Sequence, residues 1–244
     1  AAPKTPHRTC PSEHRTNPSP ERRPVTGRNY RPRNGGAVRW RRHGPVPQEA
    51  IRTRRRSCRG RGTPHRNPEW EREILDDLSS APVTDQADAV LALIATHPGL
   101  IDSTRVSIRG WSFGGYLAGL AAARRPDVFK AAIIGAPVTD FRLYDTFYTE
   151  RFMGPDEKHS NYEKSSLLNE AKNISVPVMI IHGMVDDNVL VANSLKLSSA
   201  LLEAGVAHEV LPLTGVTHMT PQEVVAENLM LLELDFLKRS LDIN

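Results

Sequence analysis

The chain is short of the features that define several common protein classes. Its 244 residues include only two cysteines, Cys10 and Cys58. They form neither a C-x-x-C pair nor a Cys/His set at zinc spacing, which excludes a disulfide scaffold or zinc ribbon and leaves two incidental thiols. No stretch approaches the ~18 apolar residues of a membrane span, and the first residues lack the apolar run of a signal peptide. The sequence therefore predicts a cytoplasmic protein with no membrane partner.

These scarcities are unevenly distributed. Residues 1–67 contain no Leu, Phe or Met, only 12 residues of the hydrophobic set, ten Pro, and 17 Arg with one Lys against three Glu, a balance of +15. Residues 68–244 carry a balance of −11, and 83 of their 177 residues are hydrophobic. Only this second part can bury a sizeable core. Runs such as Arg39-Trp40-Arg41-Arg42 and Arg54-Arg55-Arg56 favour anions, because every phosphate neutralised releases counterions. Yet the basic part shows no helix period, strand alternation or nucleic-acid module, so nucleic acid is not the expected partner. Two other readings stand beside that one: a solvated disordered tail, and a non-native beginning such as a shifted frame in GC-rich coding sequence. The expected organisation is an Arg/Pro-rich segment over 1–58 and a folded domain over 59–244.

The body alternates helix and strand. Ala87, Val90, Leu91 and Ile94 recur at helical spacing over 85–96, with His97-Pro98-Gly99 as the stop. A β-branched run at 106–108 ends in Gly110, and an Ala/Leu-rich helix over 115–124 is stopped by Pro126. Apolar runs at 130–135 and 176–182 predict buried strands, followed by a helix near 190–203 and a strand near 207–213. The last helix is predicted to open with Thr220 as N-cap, Pro221 at N1 and Glu223 at N3, burying Val225, Leu229, Leu232 and Phe236. Such alternation implies an α/β fold: a mostly parallel sheet with helices on both faces and chemistry at the carboxyl ends of the strands.

Three motifs fall at such ends. Gly110-Trp111-Ser112-Phe113-Gly114 fits G-x-S-x-G where a strand meets a helix, a turn that exposes a serine hydroxyl. Its glycines, with Gly115, let strand and helix pack closely around a strained nucleophile. After the 176–182 strand comes Gly183-Met184-Val185-Asp186-Asp187-Asn188-Val189, and after the 207–213 strand comes Gly215-Val216-Thr217-His218. The order Ser, Asp, His is that of α/β-hydrolases: His218 takes the proton of Ser112, and Asp186 orients the imidazole, with Asp187 the less expected carboxylate. The backbone N–H of Phe113 is the expected oxyanion donor. His159, His182 and His208 are read as structural or solvated, and no metal site is expected.

With these motifs in place, the body resembles the catalytic domain of the prolyl oligopeptidase family of serine peptidases, in its dipeptidyl peptidase IV-like branch. The resemblance is carried by 110–116, by 186–189, by 215–218, and by Ala136-Pro137-Val138-Thr139-Asp140-Phe141 running on to Tyr144-Asp145-Thr146-Phe147-Tyr148 and Gly154. It begins near Arg59, where Gly60-Arg61-Gly62-Thr63-Pro64 also looks like the family. The resemblance implies an α/β-hydrolase fold whose N-terminal half of the sheet is missing here, and a proline-sized pocket walled by Val138, Phe141, Tyr144, Tyr148 and Val189. It also implies that Asn188 binds a substrate carbonyl, and that cleavage through an acyl-enzyme acts on short peptides after proline or a small residue, without cofactor. A homo-oligomer is compatible with it. The family's second oxyanion donor, a tyrosine on an earlier loop, has no counterpart. The strand ending at Ser112 would present an unpaired, aggregation-prone edge. Two alternatives remain open: a carboxylesterase or acyl hydrolase with the same triad, and an inactive fragment carrying an Arg-rich nucleic-acid-binding tail.

Overall fold

A computed structural model of the chain describes residues 56–155 and 159–243. The readings of the 1–58 segment fall on residues that, apart from 56–58, lie outside this set. The described elements are, in chain order, α1 (Pro68–Arg72), α2 (Ser80–Thr96), β1 (Ser107–Trp111), α3 (Phe113–Arg124), β2 (Ala131–Gly135), α4 (Thr146–Met153), α5 (His159–Lys164), β3 (Val178–Gly183), α6 (Ala192–Glu203), β4 (Glu209–Leu213) and α7 (Glu223–Ser240). The strands pair in parallel, in the order β1-β2-β3-β4. Among the described residues the other edge of β1 has no strand partner.

The pleat assigns alternate residues of each strand to opposite faces. Ala132 and Ile134 of β2, with Val178 and Ile180 of β3, join the larger core beneath α2, α3 and α6, where Ala87, Leu120 and Leu197 are buried. Ala131, Ile133, Met179 and Ile181 face the other way, onto Leu229 and Phe236 of α7. Helices thus cover both faces, as expected. β4 at the edge is more exposed and carries Pro212, a residue whose missing N–H is tolerated only where no further strand pairs.

α2 starts five residues earlier than the periodicity suggests. The Asp77 carboxylate accepts the backbone N–H groups of Ser79 (2.9 Å) and Ser80 (3.0 Å), satisfying first-turn donors that would otherwise stay open. Burial works against the charge on Asp77, but hydrogen bonds from Ser79, whose hydroxyl donates to Oδ1 (2.6 Å), and from Ser80 outweigh it and hold the carboxyl below its usual range.

α7 departs from expectation at two points. It begins at Glu223 with Gln222 as N-cap and no side-chain cap bond, so Thr220 and Pro221 lie outside it. With His218 held by neighbouring elements, the chain spends residues 219–222 in reaching the helix axis. The buried stripe also shifts, for Leu232 is 49% exposed and Glu233 only 5%. At 3.6 residues per turn the line from Leu229 to Phe236 passes between 232 and 233, so spacing cannot choose between them. The sheet chooses: Arg109 of β1, on the α7 face, donates from Nε to Glu233 Oε2 (2.6 Å) and from Nη2 to Oε1 (2.8 Å), a forked pair. Glu233→Ala should cost about 1–2 kcal/mol, less than the ~3–5 kcal/mol of a fully buried pair because Arg109 can re-solvate. Glu233→Leu should recover much of that loss by extending the apolar stripe. Urea unfolding midpoints of the two variants test this, and equal destabilisation would contradict it.

Candidate active site

Ser112 occupies the turn between β1 and α3 with φ 59° and ψ −123°, a backbone conformation that L-residues rarely adopt. Such strain, of order 1–3 kcal/mol, persists only where its surroundings over-determine it. Here they do, because Ser112 N–H donates to Gly135 O (2.9 Å) and Tyr116 N–H to Ser112 O (3.0 Å), clamping the turn to β2 and to α3. A Cβ on Gly110 would overlap the Gly114 carbonyl, and one on Gly115 would overlap Gly135 O. At Gly114 the same atom would meet nothing within 4 Å, so the steric need expected there rests on Gly110 and Gly115 instead. Phe113 is the first residue of α3, where backbone N–H groups lack an intrahelical acceptor and the helix dipole is positive.

Asp186 lies in the turn after β3, its carboxylate fully buried. Oδ1 accepts the N–H groups of Asn188 (3.0 Å) and Val189 (2.9 Å), leaving Oδ2 aimed at His218 Nδ1, 2.8 Å away. A carboxylate can only accept there, so Nδ1 carries the proton and Nε2 is the basic nitrogen. Asp187 is exposed. The two loops touch without spacers: a Cβ on Gly183 would overlap the carbonyls of Val216 and Thr217.

One residue not singled out from sequence joins the loops. Trp111 Nε1–H donates to the backbone carbonyl of His218 (2.8 Å), tying the histidine loop to the residue beside Ser112. Strand parity contained the signal, since Trp111 shares the α7 face with Arg109 and the histidine loop leads into α7. Among the described residues Ser112 Oγ makes no hydrogen bond; catalytic contacts often tighten only with substrate bound.

The expected pocket residues gather nearby. Asp145 caps α4 by accepting Tyr148 N–H (2.8 Å). That start aligns Tyr144, Tyr148 and Phe152 four residues apart, with ring centroids 5.6 Å and 4.9 Å apart in succession. Burial pushes the Tyr148 phenol above its ordinary pKa. Val138, Phe141 and Val189 are buried in the core beneath this ladder, while Asn188 is exposed. Tyr144 Oη lies 3.4 Å from Asn188 Oδ1, a long contact that links the ladder to the aspartate loop. Phe141 packs edge-on against Tyr116 (5.1 Å), which in turn contacts Phe113 (5.7 Å), so the ladder's floor continues to the serine turn.

His208 bonds Ser198 and the Val206 carbonyl. Among the described residues no group of three or more His, Cys, Asp or Glu could hold a metal ion, and no helix is long and apolar enough to cross a membrane.

A parallel sheet covered by helices, with a strained serine between a strand and a helix, defines an α/β-hydrolase. The sequence model of the prolyl oligopeptidase family matches residues 57–244. Dipeptidyl peptidase 8 of Homo sapiens is 39% identical over 153 residues, covering 61% of this chain and 17% of that protein. Dipeptidyl peptidase 4 of Sus scrofa is 33% identical over 184 residues, covering 74% of this chain and 24% of its own length. The crystal structure of Porphyromonas gingivalis dipeptidyl peptidase 4 superimposes with a TM-score of 0.70 at 33% identity, over 74% of this chain and 26% of that one. The chain belongs to the prolyl oligopeptidase family and spans about a quarter or less of the length of these relatives.

Proposed function

We propose that the chain is a serine peptidase acting on short peptides through an acyl-enzyme on Ser112, with His218 as acid and base and Asp186 as orienter. The observation that carries this reading is the 2.8 Å contact of His218 Nδ1 with a buried Asp186 carboxylate, in a loop that Trp111 ties to the residue preceding the strained Ser112. Ser112 Oγ attacks the scissile carbonyl and gives its proton to His218 Nε2; the developing oxyanion is met by Phe113 N–H. His218 then protonates the leaving amine, and water, activated the same way, releases the acid.

The ladder of Tyr144 and Tyr148 above Val138, Phe141 and Val189 suits a flat pyrrolidine ring, which supports cleavage after proline or a small residue. Exposed Asn188 is free to bind a substrate carbonyl. No cofactor enters this chemistry. The protein is taken to work in the cytoplasm, and a homo-oligomer is compatible with the reading. The test is the ratio of kcat/KM on a proline-linked anilide to that on a small aryl ester. Tyr148→Ala should lower the anilide value by roughly tenfold or more while leaving the ester nearly unchanged. A wild-type protein that turns over only the ester would favour an esterase.

A further inference from the structure

His182, the penultimate residue of β3 and four residues before Asp186, is 1% exposed and plays no part in the proton transfers above. Its Nε2 lies 2.7 Å from the carbonyl oxygen of Val189, and its Nδ1 lies 2.7 Å from the Ser194 hydroxyl of α6. A carbonyl can only accept, so Nε2 carries the hydrogen and Nδ1 accepts from Ser194, which fixes one neutral tautomer. Burial, which outweighs the opposing Val189 and Asp186 contributions, pushes this imidazole below its ordinary pKa, in keeping with a neutral ring.

The residue it grips matters. Val189 donates its own N–H to Asp186 Oδ1 (2.9 Å), so the peptide segment that orients the carboxylate is held from below by His182. The same Nε2 lies 3.4 Å from Asp186 Oδ2, the oxygen that receives His218. At the other end of the loop, Val185 N–H bonds Val216 O (3.2 Å) and Asp186 N–H bonds Gly183 O (3.2 Å). His182 and Ser194 therefore brace the aspartate loop from inside the core, where among the described residues no backbone N–H bonds the Val189 carbonyl.

We infer that His182 is a positioning residue: through Val189 and with Ser194 it sets the direction of Asp186 Oδ2 toward His218. This rests on the triad reading above. The test uses the full chain, with the rate of fluorophosphonate labelling and the kcat and KM for a small aryl ester measured on wild type, His182→Asn, His182→Gln and Ser194→Ala. Glutamine can place an N–H near Nε2 and keep the Val189 bond, whereas asparagine reaches only toward Ser194. His182→Asn should lower kcat and the labelling rate by on the order of 10²-fold with KM little changed, the effect of a misplacement remote from the reacting atoms. His182→Gln should recover most of the rate, and Ser194→Ala, which removes the hydroxyl donor to Nδ1 but keeps the Val189 bond, should give a smaller loss of kcat.

A purely structural histidine would instead give lower unfolding midpoints for both histidine variants, with kcat per labelled site unchanged. That outcome overturns the inference. If His182→Asn does not fold, a Ser194→Ala protein with wild-type rates overturns it as well. If the wild type itself resists labelling, the triad reading fails; if it labels and the variants label equally fast, only the role of His182 fails.

Discussion

Ser112→Ala is expected to abolish fluorophosphonate labelling and to lower peptidase turnover by on the order of 10⁶-fold, the loss seen when a serine nucleophile is removed from an assembled triad. An isolated serine is a weak nucleophile and reacts slowly with such a reagent. Ser112 is set apart by its forced backbone angles, by the adjacent Phe113 N–H at a helix start, and by a histidine whose Nδ1 is occupied by Asp186. The variant removes one hydroxyl from a half-buried residue and should keep the wild-type unfolding midpoint. Intact mass after reagent exposure reads the result directly. An adduct that persists on Ser112→Ala would place the reactive group elsewhere, and folded wild-type protein without any adduct would contradict the proposed chemistry.

Gly110→Ala is expected to destabilise the domain by more than about 3 kcal/mol and to cut soluble yield, because its Cβ would enter the Gly114 carbonyl at the joint of β1 and α3. Neither side can yield. β1 is held by its ladder to β2, and α3 is packed on the sheet through Tyr116 and Leu120. Gly114→Ala supplies the control within the same motif, since a Cβ there meets open space and helix propensity favours alanine. Urea unfolding of the pair should separate them widely. Equal midpoints would mean that the serine turn is looser than its geometry requires.

Much of this site was legible from residue order. In a parallel sheet every strand points the same way, so the segments following β1, β3 and β4 converge on one edge whatever their sequence separation. Ser112, Asp186 and His218 each follow one of those strands, and an α/β reading is enough to bring them to that edge. Tyr144 and Tyr148 were named only through the family resemblance; α4, which stacks Tyr148 on Phe152, was not expected from the sequence and is marked by the Asp145 cap.

Other assignments fell between neighbours that sequence periodicity treats as equivalent. Leu232 and Glu233 straddle the midline of α7, and the burial of the glutamate follows from Arg109, which lies 124 positions away on the facing strand. Gly114 and Gly115 look alike in the motif, yet only Gly115 faces the backbone of β2. Thr220 and Pro221 form a plausible helix start in isolation, but the chain before them is tethered at His218, so the helix begins later.

By itself the sequence determined the class of fold and which serine, aspartate and histidine follow strand ends, because these depend on local apolar periodicity and on chain order. Only the tertiary structure decided how they are held. Trp111 reaches the His218 carbonyl, His182 holds Val189 beneath Asp186, and Arg109 draws Glu233 into the sheet face. The first and last of these bonds join residues more than a hundred positions apart, and the second closes the aspartate loop back onto the strand it leaves. Their partners are set by the register of packed strands and by the few ångströms separating elements, quantities that no local pattern encodes.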